Sequence, residues 1–177
     1  SYELEKLNIE ITQKTKELEN IAMYDLLTGL PNRNMLNYQL RKYLQNGTRN
    51  NCNIGILFLD LDDFKKVNDS HGHAEGDKLL IEAANRINLS VGSADMVCRF
   101  GGDEFVILLE SDTSHENAQR IAKAIIKSFQ QPIKINTGLF YVTCSIGIAM
   151  TDGSVIQASE LVSHADIAMY EAKNNGG

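Results

Sequence analysis

The spacing of apolar positions changes several times along the chain, and each change predicts an element. Across residues 1–22, Leu4, Leu7, Ile11, Leu18 and Ile21 alternate at spacings of three and four once Lys14 is counted in the series. This predicts a polar helix with a short a/d seam. Three heptads are marginal alone, so two readings stand: a coiled coil with a second chain, or an amphipathic helix lying on its own domain. Pro31 then breaks the pattern. A second helix is expected from Arg33 to Leu44, followed by a polar loop from Gly47 to Asn53.

Ile54 to Asp60 is a continuous apolar run ending on a carboxylate, too short for an independent helix and best read as a central strand. From Glu75 to about Leu89, the residues Leu79, Leu80, Ala83, Ala84 and Ile87 recur with helical spacing. Met96 to Phe100, the pair Gly101-Gly102, and Asp103 to Leu109 read as a β-hairpin. A helix over His115 to Phe129, strands over Ile133 to Ile135 and Phe140 to Met150, and a last helix over Ser159 to Lys173 complete the pattern. This interleaving predicts an α/β sandwich, an α+β fold with a mixed or antiparallel sheet surrounded by helices.

Length and composition narrow this further. A chain of 177 residues with 43% hydrophobic content can bury the core of one domain plus a short extension. The net charge of −6 argues against a surface built to neutralise duplex phosphates, so no nucleic-acid partner is expected. Cys52, Cys98 and Cys144 form an odd set without C-x-x-C spacing and are expected to be reduced core thiols. No run approaches the roughly 18 apolar residues of a membrane span, and no signal peptide opens the sequence. A cytoplasmic address without direct membrane contact is expected. The chain reads as a piece of a longer protein, which could itself be membrane-anchored.

Candidate chemistry gathers around carboxylates. Asp60 closes the buried strand, while Asp103 and Glu104 follow the double glycine at a hairpin tip. If that hairpin pairs beside the first strand, the three converge at one end of the sheet. Carboxylate oxygens suit hard cations, and Mg²⁺ usually takes one or two of them plus substrate phosphates, an arrangement fitted to nucleotidyl transfer. Singly, each aspartate has a structural explanation, and at least one of Asp60, Asp62 and Asp63 is expected to cap a helix. Phe64-Lys65-Lys66-Val67-Asn68 would open a short helix whose free N–H groups and lysine could receive an anion. Asn68 and Asp77 together could match a guanine edge, although a solvated aspartate at a helix start also explains Asp77.

Several stretches resemble GGDEF domains: Asp25 to Arg33, Asp60 to Asp69, Gly72-His73, Gly76-Asp77, Arg99 to Phe105, and Ala165-Asp166 through Ala172-Lys173. The resemblance covers residues from about 22 to the end, in the family's order and spacing. It implies a diguanylate cyclase catalytic domain over 23–177, preceded by a signalling or coiled-coil helix over 1–22. The implied fold is akin to the nucleotide-cyclase and polymerase-palm core, with a central sheet of about five strands. The implied activity is Mg²⁺- or Mn²⁺-dependent condensation of two GTP into cyclic di-GMP, in a homodimer that brings two sites face to face.

By the same resemblance Asp60, the Leu61 carbonyl and Asp103 would hold the metal. Asp103 or Glu104 would help deprotonate the attacking hydroxyl, and Lys65 and Lys173 would stabilise phosphate charge. Phe64, Lys65, Asn68, His73 and Asp77 would form the nucleotide site, with Asn68 and Asp77 reading guanine. An upstream sensor and a downstream phosphodiesterase domain are the implied neighbours. Gly92-Ser93-Ala94-Asp95 stands where the family's inhibitory product site has Arg-x-x-Asp, so feedback inhibition is expected to be weak. Gly177 stands near a position where the family often has arginine. The alternative reading is a GTP-binding regulatory module of a larger GGDEF–phosphodiesterase protein. A synthase of mixed cyclic dinucleotides is disfavoured, because Asp77 would repel the acceptor N1 of adenine.

Overall fold

The structure, a computed structural model, describes residues 2–50, 53–136, 138–151 and 156–176. Its centre is a four-stranded sheet in the order β2 (Met96–Gly101), β3 (Glu104–Leu109), β1 (Gly55–Leu61) and β6 (Cys144–Met150), antiparallel at every junction. Every residue of β1 is buried, which explains why it reads as unbroken apolar sequence: both of its faces are covered. Leu57, Leu59 and Leu61 point to one side with Phe105 and Ile107, and meet α4 (His73–Val91) and α5 (His115–Phe129) through Leu79, Ile87, Ile121 and Ile125. Ile56 and Phe58 point to the other with Val106 and Leu108, and meet α2 (Arg33–Asn50) and α6 (Ala158–Asn174) through Leu36, Leu40, Leu161 and Met169. Each such side chain contributes about 1.5–3 kcal/mol by leaving water. The alternation therefore fixes which face Asp60 joins.

α6 approaches the sheet unusually closely. A Cβ at Gly147 would lie 2.1 Å from both the Ala165 carbonyl oxygen and the Met169 nitrogen, so the absence of a side chain lets helix backbone rest on β6.

Several sequence expectations need adjustment. The second helix continues to Asn50 rather than yielding to a loop at Gly47, since one glycine weakens a helix without stopping it. A short helix, α3 (Phe64–His71), precedes α4, and Gly72 at φ 84° separates the two, so α4 begins at His73 rather than Glu75. The single strand expected over Phe140 to Met150 is split. Phe140 ends β5 (Gly138–Phe140), which pairs with β4 (Ile133–Ile135) in a separate hairpin, residues 141–143 are in no strand, and only β6 joins the central sheet. The central sheet thus has four strands where about five were expected. Cys98 and Cys144 are buried and unpaired, and burial above all, aided by Asp25 and Asp62 respectively, pushes each thiol up to about 12. Cys52 and Gly177 lie outside the described residues.

The first helix, α1 (Tyr2–Met23), buries no residue. Leu4, Leu7, Ile11, Leu18 and Ile21 all stay more than half exposed, so the seam does not lie on its own domain. No described helix is long and apolar enough to cross a membrane.

Candidate active site

One row of residues across three strands sets the site. Asp60 lies opposite Glu104 on β3 and opposite Ser145 on β6, and directly paired residues present their side chains to the same face. Asp103 sits in the β2–β3 turn, where its carbonyl accepts a hydrogen bond of 3.2 Å from the Leu61 N–H. The expected convergence of Asp60, Asp103 and Glu104 is therefore present. Lys173, one residue from the end of α6, makes a hydrogen-bonded ion pair with Asp60 Oδ1.

The turn leaving β1 is held from β6. Asp62 accepts hydrogen bonds from the Thr143 hydroxyl at 2.6 Å and the Ser145 hydroxyl at 2.8 Å, while its own N–H donates to the Thr143 carbonyl at 2.9 Å. Asp63 occupies the cap position of α3, but its side chain caps nothing and instead pairs with Lys66 at 2.9 Å. The expected helix-capping carboxylate is thus not found in this trio. On α3, Lys65 is exposed and Phe64 is buried in the core. Asn68 lies against α4 at Gly76, where a Cβ would come within 1.8 Å of Asn68 Oδ1. That oxygen is buried without a hydrogen-bond partner. Asp77 follows Gly76 directly, and it and His73 are exposed on the first turns of α4.

Residues to which no role had been given hold the glycine turn. Arg99 donates from Nε and Nη2 to the Gly102 carbonyl at 3.0 and 2.8 Å, and from Nη1 to both carboxylate oxygens of Asp25 at 3.1 Å. Asp25 also accepts from the Thr28 N–H and hydroxyl at 2.8 and 2.7 Å. Arg33 stacks over Phe100 at 4.6 Å from the ring centroid. It also lines a cavity of about 530 Å³ between α2 and the start of α6, which includes none of the predicted site residues.

Crowding of like charge is visible in the proton affinities. Burial first, and then the Asp60 charge, raise the Asp103 carboxyl above its usual range. Glu104 is raised by burial, then by Asp60, Asp166 and Asp103. Lys173 is raised chiefly by its hydrogen bond to Asp60, with burial opposing and the charges of Asp60, Asp62 and Asp103 adding. A cation entering here would relieve this repulsion, and the hard oxygen donors of Asp60, Asp103 and the chain fit Mg²⁺. Among the described residues no group of three or more His, Cys, Asp or Glu side chains is arranged to hold a metal.

The family model for "Diguanylate cyclase, GGDEF domain" matches residues 22–177. The chain belongs to the GGDEF family. It is 41% identical over 170 residues to the bifunctional diguanylate cyclase/cyclic di-GMP phosphodiesterase MucR of Pseudomonas aeruginosa, a match covering 96% of this chain and 25% of MucR. It is 38% identical over 172 residues to the diguanylate cyclase TpbB of the same species, covering 97% of this chain and 40% of TpbB. The isolated GGDEF domain of Pseudomonas aeruginosa TpbB superimposes with a TM-score of 0.81 at 39% identity, covering 86% of this chain and 90% of that one. The chain spans a quarter to two fifths of the length of the two full-length relatives. Membership of the GGDEF family ties it to cyclic di-GMP signalling.

Proposed function

We propose that this GGDEF domain is a cyclase that joins two GTP molecules into cyclic di-GMP. In each of two equivalent steps a ribose 3′-oxygen attacks the α-phosphate of the other nucleotide. A P–O ester bond forms, the bond to the β-phosphate breaks, and pyrophosphate leaves; the hydroxyl proton passes to a carboxylate or solvent. The observation that carries the reading is the row of Asp60 and Glu104 in register, with Asp103 beside them and the Lys173 ammonium on Asp60.

Asp60, Asp103 and the Leu61 carbonyl would hold Mg²⁺ or Mn²⁺, which when bound neutralises phosphate charge. Asp103 and Glu104, with raised proton affinities, are suited to accept the hydroxyl proton. Lys65 and Lys173 would stabilise charge on the phosphates as it develops. Asn68 and Asp77 would read guanine, with His73 completing the nucleotide site and the buried Phe64 packed with Asn68 against Gly76. Two domains must face each other, because each would hold one GTP. The exposed seam of α1 supports a helical stalk that pairs two chains and passes on a signal from an upstream sensor. Replacing Leu7 and Ile11 together by lysine should reduce both dimerisation and activity; unchanged values of both would exclude the stalk.

The test is cyclic di-GMP formation from GTP and Mg²⁺ over a wide range of protein concentration, with Asp103→Ala as control. Product rising faster than linearly with protein, and absent from the control, is expected. GTP binding without product would favour the second reading, a regulatory GTP-binding module beside a phosphodiesterase domain. The similarity to bifunctional MucR keeps that reading in view.

A further inference from the structure

We infer that Asp62 is a positioning residue for this site: it ties the turn between β1 and α3 to the start of β6, and so fixes the Leu61 carbonyl and the first turn of α3 relative to Asp60. The inference deepens the cyclase reading and rests on it for the roles of Leu61 and Lys65.

Three bonds from one residue make the tie. The Asp62 N–H reaches the Thr143 carbonyl at 2.9 Å, Oδ2 accepts from the Thr143 hydroxyl at 2.6 Å, and Oδ1 accepts from the Ser145 hydroxyl at 2.8 Å. Ser145 is 1% exposed and is the β6 residue paired with Asp60, so the bond to it locates Asp62 against the metal-binding row itself. The next residue, Asp63, has φ 57° and ψ 18°, and is the one non-glycine at positive φ among the described residues. A left-handed conformation at an L-residue is unfavourable and persists where surrounding bonds over-determine it. Aspartate tolerates it better than most side chains, and the bonds of Asp62 on one side and of Lys66 to the Asp63 carbonyl and carboxylate on the other hold the turn in place. The left-handed residue stands between the end of β1 at Leu61 and the start of α3 at Phe64, the helix that carries Lys65 and Asn68. Each oxygen of Asp62 accepts from one hydroxyl, so the carboxylate is held in one orientation by two bonds.

A purely structural role would lower stability alone, whereas a positioning role changes metal and nucleotide binding. The test compares Asp62→Ala, Asp62→Asn and the double variant Thr143→Val with Ser145→Ala in the full chain. Three quantities are read well below each thermal midpoint: amide hydrogen exchange over residues 61–66 without nucleotide, the Kd for a GTP analogue with a non-hydrolysable α,β-methylene bridge, and the Mg²⁺ concentration giving half-maximal analogue binding. Asp62→Ala and the double variant should accelerate exchange over 61–66 and raise both binding values by about tenfold or more, the scale typical of outer-shell partners. Asp62→Asn should recover part of this, since its amide can accept from one hydroxyl and donate to the other.

Wild-type exchange and wild-type binding values in the double variant would overturn the inference, even if its melting temperature falls. The double variant also decides the matter if Asp62→Ala does not fold. A wild-type protein that binds Mg²⁺ and the analogue but makes no cyclic di-GMP would defeat the cyclase reading while the exchange and binding values still judge Asp62. A protein that binds neither defeats both.

Discussion

Arg99 and Asp25 are joined by two contacts of 3.1 Å, and the same guanidinium grips the Gly102 carbonyl in the turn that carries Asp103. The segment that leaves α1 is therefore bonded to the turn that delivers a proposed metal ligand. Lysine cannot reproduce the fork of donors that spans both partners. Arg99→Lys should keep the fold but lower kcat by about tenfold or more, with a smaller change in KM for GTP, since charge-assisted bonds of this kind contribute about 1.5–3 kcal/mol. Steady-state kinetics with circular dichroism as a folding control checks this.

Asp25 also makes the pair sensitive to acid. Burial works to raise its carboxyl, but the Thr28 hydroxyl and N–H and the Arg99 guanidinium outweigh it and hold the group below its usual value of 3.8. A depressed folded pKa contributes stability that is fully present above the unfolded value and is lost as pH falls through the folded one. The stability of wild type over Asp25→Asn should accordingly be constant at neutral pH and shrink once pH drops below about 4. Urea unfolding of both proteins between pH 7 and 3 measures it.

Asp103 shows the opposite sign. Its folded pKa is raised by burial and by Asp60, so ionised Asp103 costs stability, a cost that develops as pH rises through the unfolded value toward the folded one. Asp103→Asn should therefore raise the thermal midpoint at pH 7 by about 2–4 °C while abolishing product. A melting curve and a product assay on one preparation test both halves.

Nucleotide choice should depend on Asp77. A carboxylate accepts from the N1–H and 2-amino group of guanine and repels the N1 lone pair of adenine, so wild type should strongly prefer GTP. Asp77→Ser should reduce the GTP-to-ATP ratio of kcat/KM by about tenfold or more. Comparable use of ATP and GTP by the unaltered protein would contradict the assignment.

Product inhibition should be weak. Gly92, at φ 85°, ends α4 at the position where the family's inhibitory site has arginine, and Asp95 is spent on the chain, accepting from the Glu110 N–H at 2.8 Å and the Ser111 N–H at 3.2 Å. Added cyclic di-GMP at low micromolar concentration should leave the initial rate unchanged.

Elements with an unambiguous period were legible in the sequence. Ile54 to Asp60 and the Gly101-Gly102 hairpin announced a central strand and its partner, and their pairing brings Asp60 and Glu104 into one row as anticipated. Phe140 to Met150 was read as one strand because β-favouring residues continue through Val142, and no local signal records that Phe140 ends a separate hairpin while the central strand begins only at Cys144. The clamps were hidden for a related reason. Asp62 bonds residues more than 80 positions away and Arg99 one 74 positions away, so their roles exist only after the sheet has formed. Thr143 and Ser145, two hydroxyls alternating at the start of a strand, were the faint trace of the first of these.

Gly147 gives the site a fixed gauge. Because α6 rests on that glycine through Ala165 and Met169, the axis of the helix is as near the sheet as backbone allows, and Lys173 follows Met169 by one turn, about 6 Å further along. The separation between the ammonium and the carboxylates is thus set from below by a missing methyl group rather than by the length of a flexible side chain. A single added carbon at position 147 would lift the whole rod and retract its charge from the reaction end, making a residue without any functional group a determinant of reach.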